Sequence, residues 1–382
     1  MNKKNNREKV ILAGYRPRGI APGEYDDPYI ELERLAETSG AQVIALITQA
    51  ESQPTSKFYL GSGKVREIAE AAEELEARAV IFNHDLSPLH FRNLERELNV
   101  KVIDRTQLIL DIFAMRAQSA EGKIQVELAQ LEYLLPRISG IGAELSRLGG
   151  GIGTRGPGET KLETDRRRIR TKISVLKQRL KKVESNRLLQ KSRREKSGVA
   201  LIALVGYTNA GKTTLFNKLC AEKAFVEDKL FATLDPLTRK IFIPGSGVAL
   251  LTDTVGFIQN LPVKLVESFK STLEGLRDAD LLLHVIDISD PQYESQTDEV
   301  RRIILELNAG PIPRVHVLNK IDALEAPDRA VNFARAYPDC AQISAKSDIG
   351  LAGLKQLIGE KLTAIKEEKA NPAAIFDEPE EL

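Results

Sequence analysis

Residues 206–213 read Gly206-Tyr207-Thr208-Asn209-Ala210-Gly211-Lys212-Thr213. This is a phosphate-binding loop of the form Gly-x4-Gly-Lys-Thr. It follows the apolar run Val199–Val205 and opens a helical pattern over 212–221. A phosphate chain carries dense negative charge. Glycines let backbone N–H groups approach it, and the N-terminus of a helix adds a favourable dipole. Lys212 is expected to reach the β- and γ-phosphates, and the Thr213 hydroxyl to ligate Mg2+.

Three further elements follow in order: Asp253-Thr254-Val255-Gly256, Asn319-Lys320-Ile321-Asp322 and Ser344-Ala345-Lys346. Asp253 ends an expected strand, and its carboxylate is expected to hold Mg2+ through water. The Gly256 N–H is in a position to sense a γ-phosphate. A buried carboxylate at Asp322 accepts from both guanine N1–H and the 2-amino group, a donor pair that adenine lacks. Sites built on such pairing discriminate by roughly 10⁴–10⁵. Lys320 is expected over the base, with a backbone N–H from Ser344-Ala345-Lys346 for guanine O6. The expected ligand is therefore GTP or GDP rather than ATP.

A residue that closes over Mg2+ and the γ-phosphate is expected between Ala224 and Lys240. Thr233, within Phe231-Ala232-Thr233-Leu234-Asp235, and Thr238 are both chemically suitable, with Thr233 preferred. Position 257, where many GTPases of this fold carry a water-orienting glutamine, is Phe257, which cannot orient water by hydrogen bonding. Hydrolysis is therefore expected to be slow or to be assisted. Asn209 is one candidate for assistance: it is similar to the asparagine by which some GTPases hold K+ beside the phosphates. The alternative is an asparagine selected for loop geometry. Lys212, Thr233, Gly256 and Asn209 are the candidate catalytic set, and Thr213, Thr233 and Asp253 the candidate metal ligands.

Around this core the chain reads as α/β. Runs at Val10–Ala13, Val43–Thr48, Ala79–Phe82 and Val100–Ile103 alternate with helical patterns, implying a largely parallel sheet. One or two helices are expected over 105–136, with Ile124, Leu128, Leu131 and Leu135 on one face and Pro136 at the end of the run. A segment with six glycines in ten residues follows, Gly149–Gly158, and then a helix over Glu163–Lys191. Its seam of Ile169, Ile173, Leu176, Leu180 and Val183 is too short for a freestanding coiled coil and suits antiparallel pairing with the Ile124–Leu135 face. The expected domains are an N-terminal α/β domain (1–110), a basic helical hairpin with a Gly-rich tip (111–197), a mostly parallel phosphate-loop GTPase domain (198–368) and an acidic, disordered tail (369–382).

Net charge is +1, yet residues 161–196 carry 15 Lys or Arg against 4 Asp or Glu, a local balance of +11 that leaves −10 for the remainder. Such asymmetry points to a polyanionic partner met at one place, with strongly salt-dependent binding. Few aromatics accompany the charge, so base stacking is not the expected mode. Cys220 and Cys340 form no CxxC pair and read as buried thiols of a reducing, cytoplasmic compartment. The four histidines lack zinc-ligand spacing. No apolar run approaches the ~18 residues that span a bilayer, and MNKKNNREKV has no apolar core of a secretory signal. A monomer is expected.

These residues, with Gly149–Ile169 (GGGIGTRGPGETKLETDRRRI), the FATLDP stretch at Phe231–Pro236, Tyr59–Lys64 and the Asn83–Glu95 segment, resemble the HflX family of translational GTPases over nearly the whole chain. The resemblance implies GTP hydrolysis, binding to the large ribosomal subunit and its RNA, and dissociation of stalled or idle ribosomes under stress. It supports Thr233 as the switch threonine and Mg2+ ligand beside Thr213. One departure from the family is expected: any additional C-terminal domain of some relatives is reduced here to a short tail. Two other functions fit the residues: a GTPase acting in ribosome assembly or RNA modification, and a binding scaffold that nucleotide merely stabilises.

Overall fold

The computed structural model describes residues 7–16, 27–50, 54–148, 157–220, 230–231, 233–259, 275–324 and 328–370. The glycine-rich tip with Arg155, Ala232, nearly all of the helix expected over 263–275 and the tail beyond 370 lie outside the described residues. The described residues fall into two compact units, one ending at Val183 and one beginning at Glu184.

The first unit carries four strands, β1 (Lys9–Arg16), β2 (Gln42–Ala50), β3 (Ala79–Phe82) and β4 (Lys101–Asp104), all parallel, in the order β2-β1-β3-β4. Helices α1 (Pro28–Thr38), α2 (Ser62–Glu74) and α3 (Pro88–Leu98) make the crossovers. Their starts are written locally. Asp27 and Ser87 cap α1 and α3 by accepting from Tyr29 and His90 N–H, each with proline as the first helical residue, where no N–H is needed. Gly61 ends the turn before α2, so Gly61-Ser62-Gly63-Lys64 is a turn and helix start. Ile11, Ala13, Ile68, Val80, Phe82, Leu94 and Val102 fill the core between the sheet and these helices.

Helices α4 (Arg105–Arg116) and α5 (Ala120–Leu148) follow. The expectation of helix over 105–136 needs correction at Pro136: α5 continues through it to Leu148. A proline removes one helical hydrogen bond, and the packing of α5 outweighs that loss. A polar anchor lies at the same turn. The buried Asp104 carboxylate accepts from Tyr133 Oη (2.5 Å), Arg137 Nη2 (2.8 Å) and the Gln107 N–H (2.8 Å), and the Arg137 guanidinium lies over the Tyr133 and Phe91 rings. Helix α6 spans Pro157–Ser197, longer at both ends than expected. Leu128, Leu176 and Leu180 are buried together, with Ile124, Leu131 and Ile173 packed against them, as the two apolar faces anticipate.

The second unit holds β5 (Leu201–Gly206), β6 (Leu237–Ile243), β7 (Gly247–Asp253), β8 (Leu281–Asp287), β9 (Arg314–Asn319) and β10 (Cys340–Gln342), in the order β10-β9-β8-β5-β7-β6. Only the edge strand β6 is antiparallel, joined to β7 through the turn at Gly245-Ser246-Gly247. Helices α7 (Lys212–Cys220), α8 (Tyr293–Glu306), α9 (Asp328–Ala336) and α10 (Leu351–Ala370) complete the unit. A core of Ile202, Leu204, Phe216, Leu251, Leu283, Val317, Leu354 and Ile358 lies on one side of the sheet. The order reverses around β5, so the loop after β5 lies at the topological switch point, where α/β folds open a crevice.

Candidate nucleotide site

The phosphate loop starts where β5 ends. Gly206 has φ +153, and a Cβ there would come within 2.2 Å of the Val285 carbonyl oxygen on β8, so no side chain fits. Asn209 has φ +62, a left-handed conformation that asparagine tolerates, and its side chain is exposed at the cavity. Lys212 opens α7 and is buried. Its ammonium donates to Gly206 O (3.1 Å) and Tyr207 O (2.7 Å), which leaves one of three N–H donors for a ligand. Burial pushes the Lys212 pKa down to about 8, with the charge of Asp253 acting in the opposite direction.

Three oxygens meet beside this lysine. Thr213 Oγ1 and Thr233 Oγ1 donate to the same Asp253 Oδ2 at 2.7 and 2.9 Å, and lie 2.7 Å from one another. Two hydroxyl protons serve three contacts, so one contact has no proton. Asp253 is fully buried, and its Oδ1 makes no hydrogen bond in normal geometry. Burial raises its pKa, opposed by Lys212, the two threonines and the Thr254 N–H. Hard oxygen donors crowded in this way fit a cation such as Mg2+. Of the two candidate threonines, Thr233 meets Asp253, whereas Thr238 bonds Thr252 on the β6–β7 ladder, at 2.8 Å.

At the other end of the cavity, Asn319 ties three loops together. Its Nδ2 donates to Ala210 O (2.8 Å), and its Oδ1 accepts from the Ala345 N–H (2.9 Å). That amide is therefore engaged within the protein. Lys320 sits in the left-handed region (φ +65) with its ammonium 2.6 Å from Asp287 Oδ2. Asp322 is exposed at the rim, not buried as the sequence reading assumes. A hydrogen bond from Ser344 holds its carboxyl below the usual range, with smaller help from its own N–H, Lys346 and Ser347.

The cavity enclosed by these elements is about 550 Å³, a volume that suits a nucleotide. Asn209, Lys212, Thr213, Thr233, Gly256 and Asp322 all line it, as do Thr208, Gly211, Phe231, Thr254, Asn319, Lys320, Ala345 and Lys346. The remaining candidates stand outside the lining. Gly206, Tyr207, Ala210, Asp253, Val255, Ile321 and Ser344 support it from behind, Leu234 is buried, and Asp235 is half-buried. Sequence reasoning missed Thr214, which lines the cavity as the third residue of α7, and Asp287. Asp287 is the register partner of Asn319 at the end of β8, and a carboxylate ending a buried strand was the available signal.

Successive stretches of the chain match family models described as GTP-binding GTPase N-terminal (26–114), GTP-binding GTPase Middle Region (116–194) and 50S ribosome-binding GTPase (201–320). GTPase HflX of Caldanaerobacter subterraneus subsp. tengcongensis is 49% identical over 357 residues, which cover 94% of this chain and 81% of that protein. The chain belongs to the HflX GTPase family. GTPase HflX of Escherichia coli K12 is 45% identical over 334 residues, covering 87% of this chain and 78% of that one. Among solved structures, a complex of SsGBP with GDP is 28% identical, covers 94% of this chain and 99% of its own, and superposes with a TM-score of 0.51. This HflX-family chain is thus a GTPase, hydrolysing GTP to GDP and phosphate, as the ordered motifs lead one to expect. None of its described helices is long and apolar enough to cross a membrane.

Proposed function

We propose that this GTPase binds the large ribosomal subunit in the cytoplasm and, acting as a monomer, dissociates stalled or idle ribosomes under the control of its nucleotide. The observation that carries the reading is the exposed basic surface of α6. Arg167, Arg168, Arg170, Arg179 and Lys182 are all exposed, a spacing of charge suited to following an RNA backbone. Part of the helix's charge is spent internally, since Lys172 pairs with Glu127 and Lys177 with Glu132. The family description of residues 201–320 as a ribosome-binding GTPase supports the same partner. The working units in this reading are 1–110, the RNA-facing hairpin 111–197, the GTPase domain 198–368 and the tail 369–382.

Within the site, the free N–H of Lys212 and the loop amides hold the phosphates, while the Gly256 N–H meets the γ-phosphate. Thr213, Thr233 and Asp253 hold Mg2+, directly or through water. When bound, the ion neutralises charge on the β- and γ-phosphate oxygens. Asp322, oriented by Ser344, accepts from guanine N1–H and the 2-amino group. With Ala345 N–H engaged by Asn319, the Lys346 amide is the donor for O6. Lys320, tethered by Asp287, lays its stem along the base. Asn209 would be the residue to hold K+ near the phosphates, supplying charge that the missing glutamine at position 257 does not. Equal hydrolysis rates in Na+ and K+ would remove that role.

The decisive experiment is sedimentation of assembled ribosomes with this protein and GTP, GDP or a non-hydrolysable GTP analogue. Splitting with GTP or the analogue, and not with GDP, is the expected result. Intact ribosomes in all three would overturn the proposal.

A further inference from the structure

Phe257 occupies the position where a water-orienting glutamine is often found, yet its side chain is only 1% exposed and faces the protein interior. Both of its backbone groups are engaged with the phosphate loop. The Phe257 N–H donates to Gly206 O (3.1 Å), and the Thr208 N–H donates to Phe257 O (2.8 Å), so that residues 207 and 257 form a parallel bridge. Two residues on, the Gln259 N–H donates to the Tyr207 hydroxyl at 2.8 Å. At the near end, the Thr254 hydroxyl donates to Leu204 O at 2.6 Å. Residues 254–259 are therefore tied to β5 and the phosphate loop at four points. Gly256 lies between the ties, and a Cβ there would fall 2.9 Å from each of Lys212 Nζ, Thr208 Cα and Thr208 Cγ2.

We infer that Tyr207 is a positioning residue for GTP hydrolysis: its hydroxyl latches Gln259 and so fixes the Gly256 N–H at the phosphate end of the cavity. Residues 254–259 then act as a platform for that donor. This rests on the reading that the Gly256 N–H meets the γ-phosphate. The physical gain is preorganisation, because a donor already in place does not have to be reoriented as charge develops on the transferring group. Only GTP reaches that donor, so the latch acts on GTP and not on GDP. It also accounts for a phenylalanine at 257. The backbone pairing points this side chain inward, where a glutamine could not reach water and would bury an amide.

Tyr207→Phe keeps the buried ring and deletes the hydroxyl. Loss of one buried hydrogen bond corresponds to about a fivefold effect. In the full-length protein, single-turnover GTP hydrolysis at subsaturating GTP and affinity for a non-hydrolysable GTP analogue should each fall about fivefold, with GDP affinity unchanged. Amide exchange at 257–259 should quicken. Phe257→Gln should hydrolyse GTP no faster than the parent. The inference is overturned if Tyr207→Phe leaves hydrolysis and the GTP-to-GDP affinity ratio unchanged, if it weakens both nucleotides equally, or if Phe257→Gln accelerates hydrolysis. Lys212→Ala separates the two levels: a Lys212→Ala protein that hydrolyses GTP normally refutes the site itself, whatever Tyr207→Phe does.

Discussion

At the carboxyl ends of β1 and β5 the chain does two different things with one topology. β1 lies between β2 and β3, β5 lies between β7 and β8, and each sits where the strand order reverses. Each carries a glycine with nearly the same unusual backbone, Gly14 at φ +149 and Gly206 at φ +153. At Gly206 the crowding atom is backbone, the Val285 carbonyl, and the space beyond is the nucleotide cavity. At Gly14 it is a side chain, the Tyr29 hydroxyl, 2.5 Å from where a Cβ would lie. Several of the described residues around that end of β1 bond one another. Tyr29 donates to Tyr15 O (2.8 Å), Tyr15 to Tyr59 O (2.6 Å), Arg16 pairs with Asp27 (2.7 Å), and Arg105 bonds Glu31 and Asn83. The switch point is a property of the fold. Whether it becomes a site depends on the side chains that fill it or leave it open.

Lys212→Ala should break the open end most severely, lowering single-turnover GTP hydrolysis by about 10²–10³, the scale of removing one electrostatic donor at a transition state. Arg105→Ala is its counterpart at the filled end. Removing one member of a buried ion pair should lower stability to urea by about 3 kcal/mol, with nucleotide affinity unchanged. A loss of nucleotide binding there would dissolve the contrast between the two sheets. Asp322→Asn replaces an acceptor of two N–H groups with an amide, so GDP affinity measured by calorimetry should drop about 10–100-fold and xanthine nucleotides should bind better than before.

The pH dependence of GDP binding provides a smaller effect. In the protein without nucleotide, the Lys212 pKa is about 8, and phosphate requires the protonated form. Binding therefore takes up a proton once the pH exceeds about 8. Affinity should be flat below pH 7 and should weaken above pH 8 by at most about tenfold per unit, while Lys212→Arg flattens the profile. Smallest is Tyr133→Phe in the first unit. It removes one of the bonds to Asp104 and should cost about 1 kcal/mol in urea denaturation, with hydrolysis unaltered.

Much of the site is legible in the sequence because its residues cluster just after strands. Strand and helix periodicity places Gly206–Thr213, Asp253–Gly256, Asn319–Asp322 and Ser344–Lys346 at the same edge of one parallel sheet. Other features are not legible, since each depends on a partner distant in the chain. Pro136 inside α5 reads as a stop until the Asp104–Tyr133–Arg137 anchor is seen. Lys172 and Lys177 read as outward charge until Glu127 and Glu132 face them. Thr233 and Thr238 are equivalent in composition, and only the Asp253 carboxylate separates them. Asp322 reads as buried, but the cavity rim leaves it exposed.

By itself the sequence determined that this chain builds a phosphate-loop fold for a guanine nucleotide, with a basic helical segment attached. Those properties reside in short stretches whose backbone geometry and chemistry are local. Tertiary structure decided the rest: that two threonines and an aspartate from three separate stretches of chain share two protons, and that Asn319 engages the Ala345 amide. It also decided that Tyr207 holds Gln259, and that the end of β5 opens on a cavity while the Tyr29 hydroxyl crowds Gly14 on β1. Each of these is a competition for hydrogen-bonding groups between residues far apart in the chain, and only the folded protein brings the competitors together.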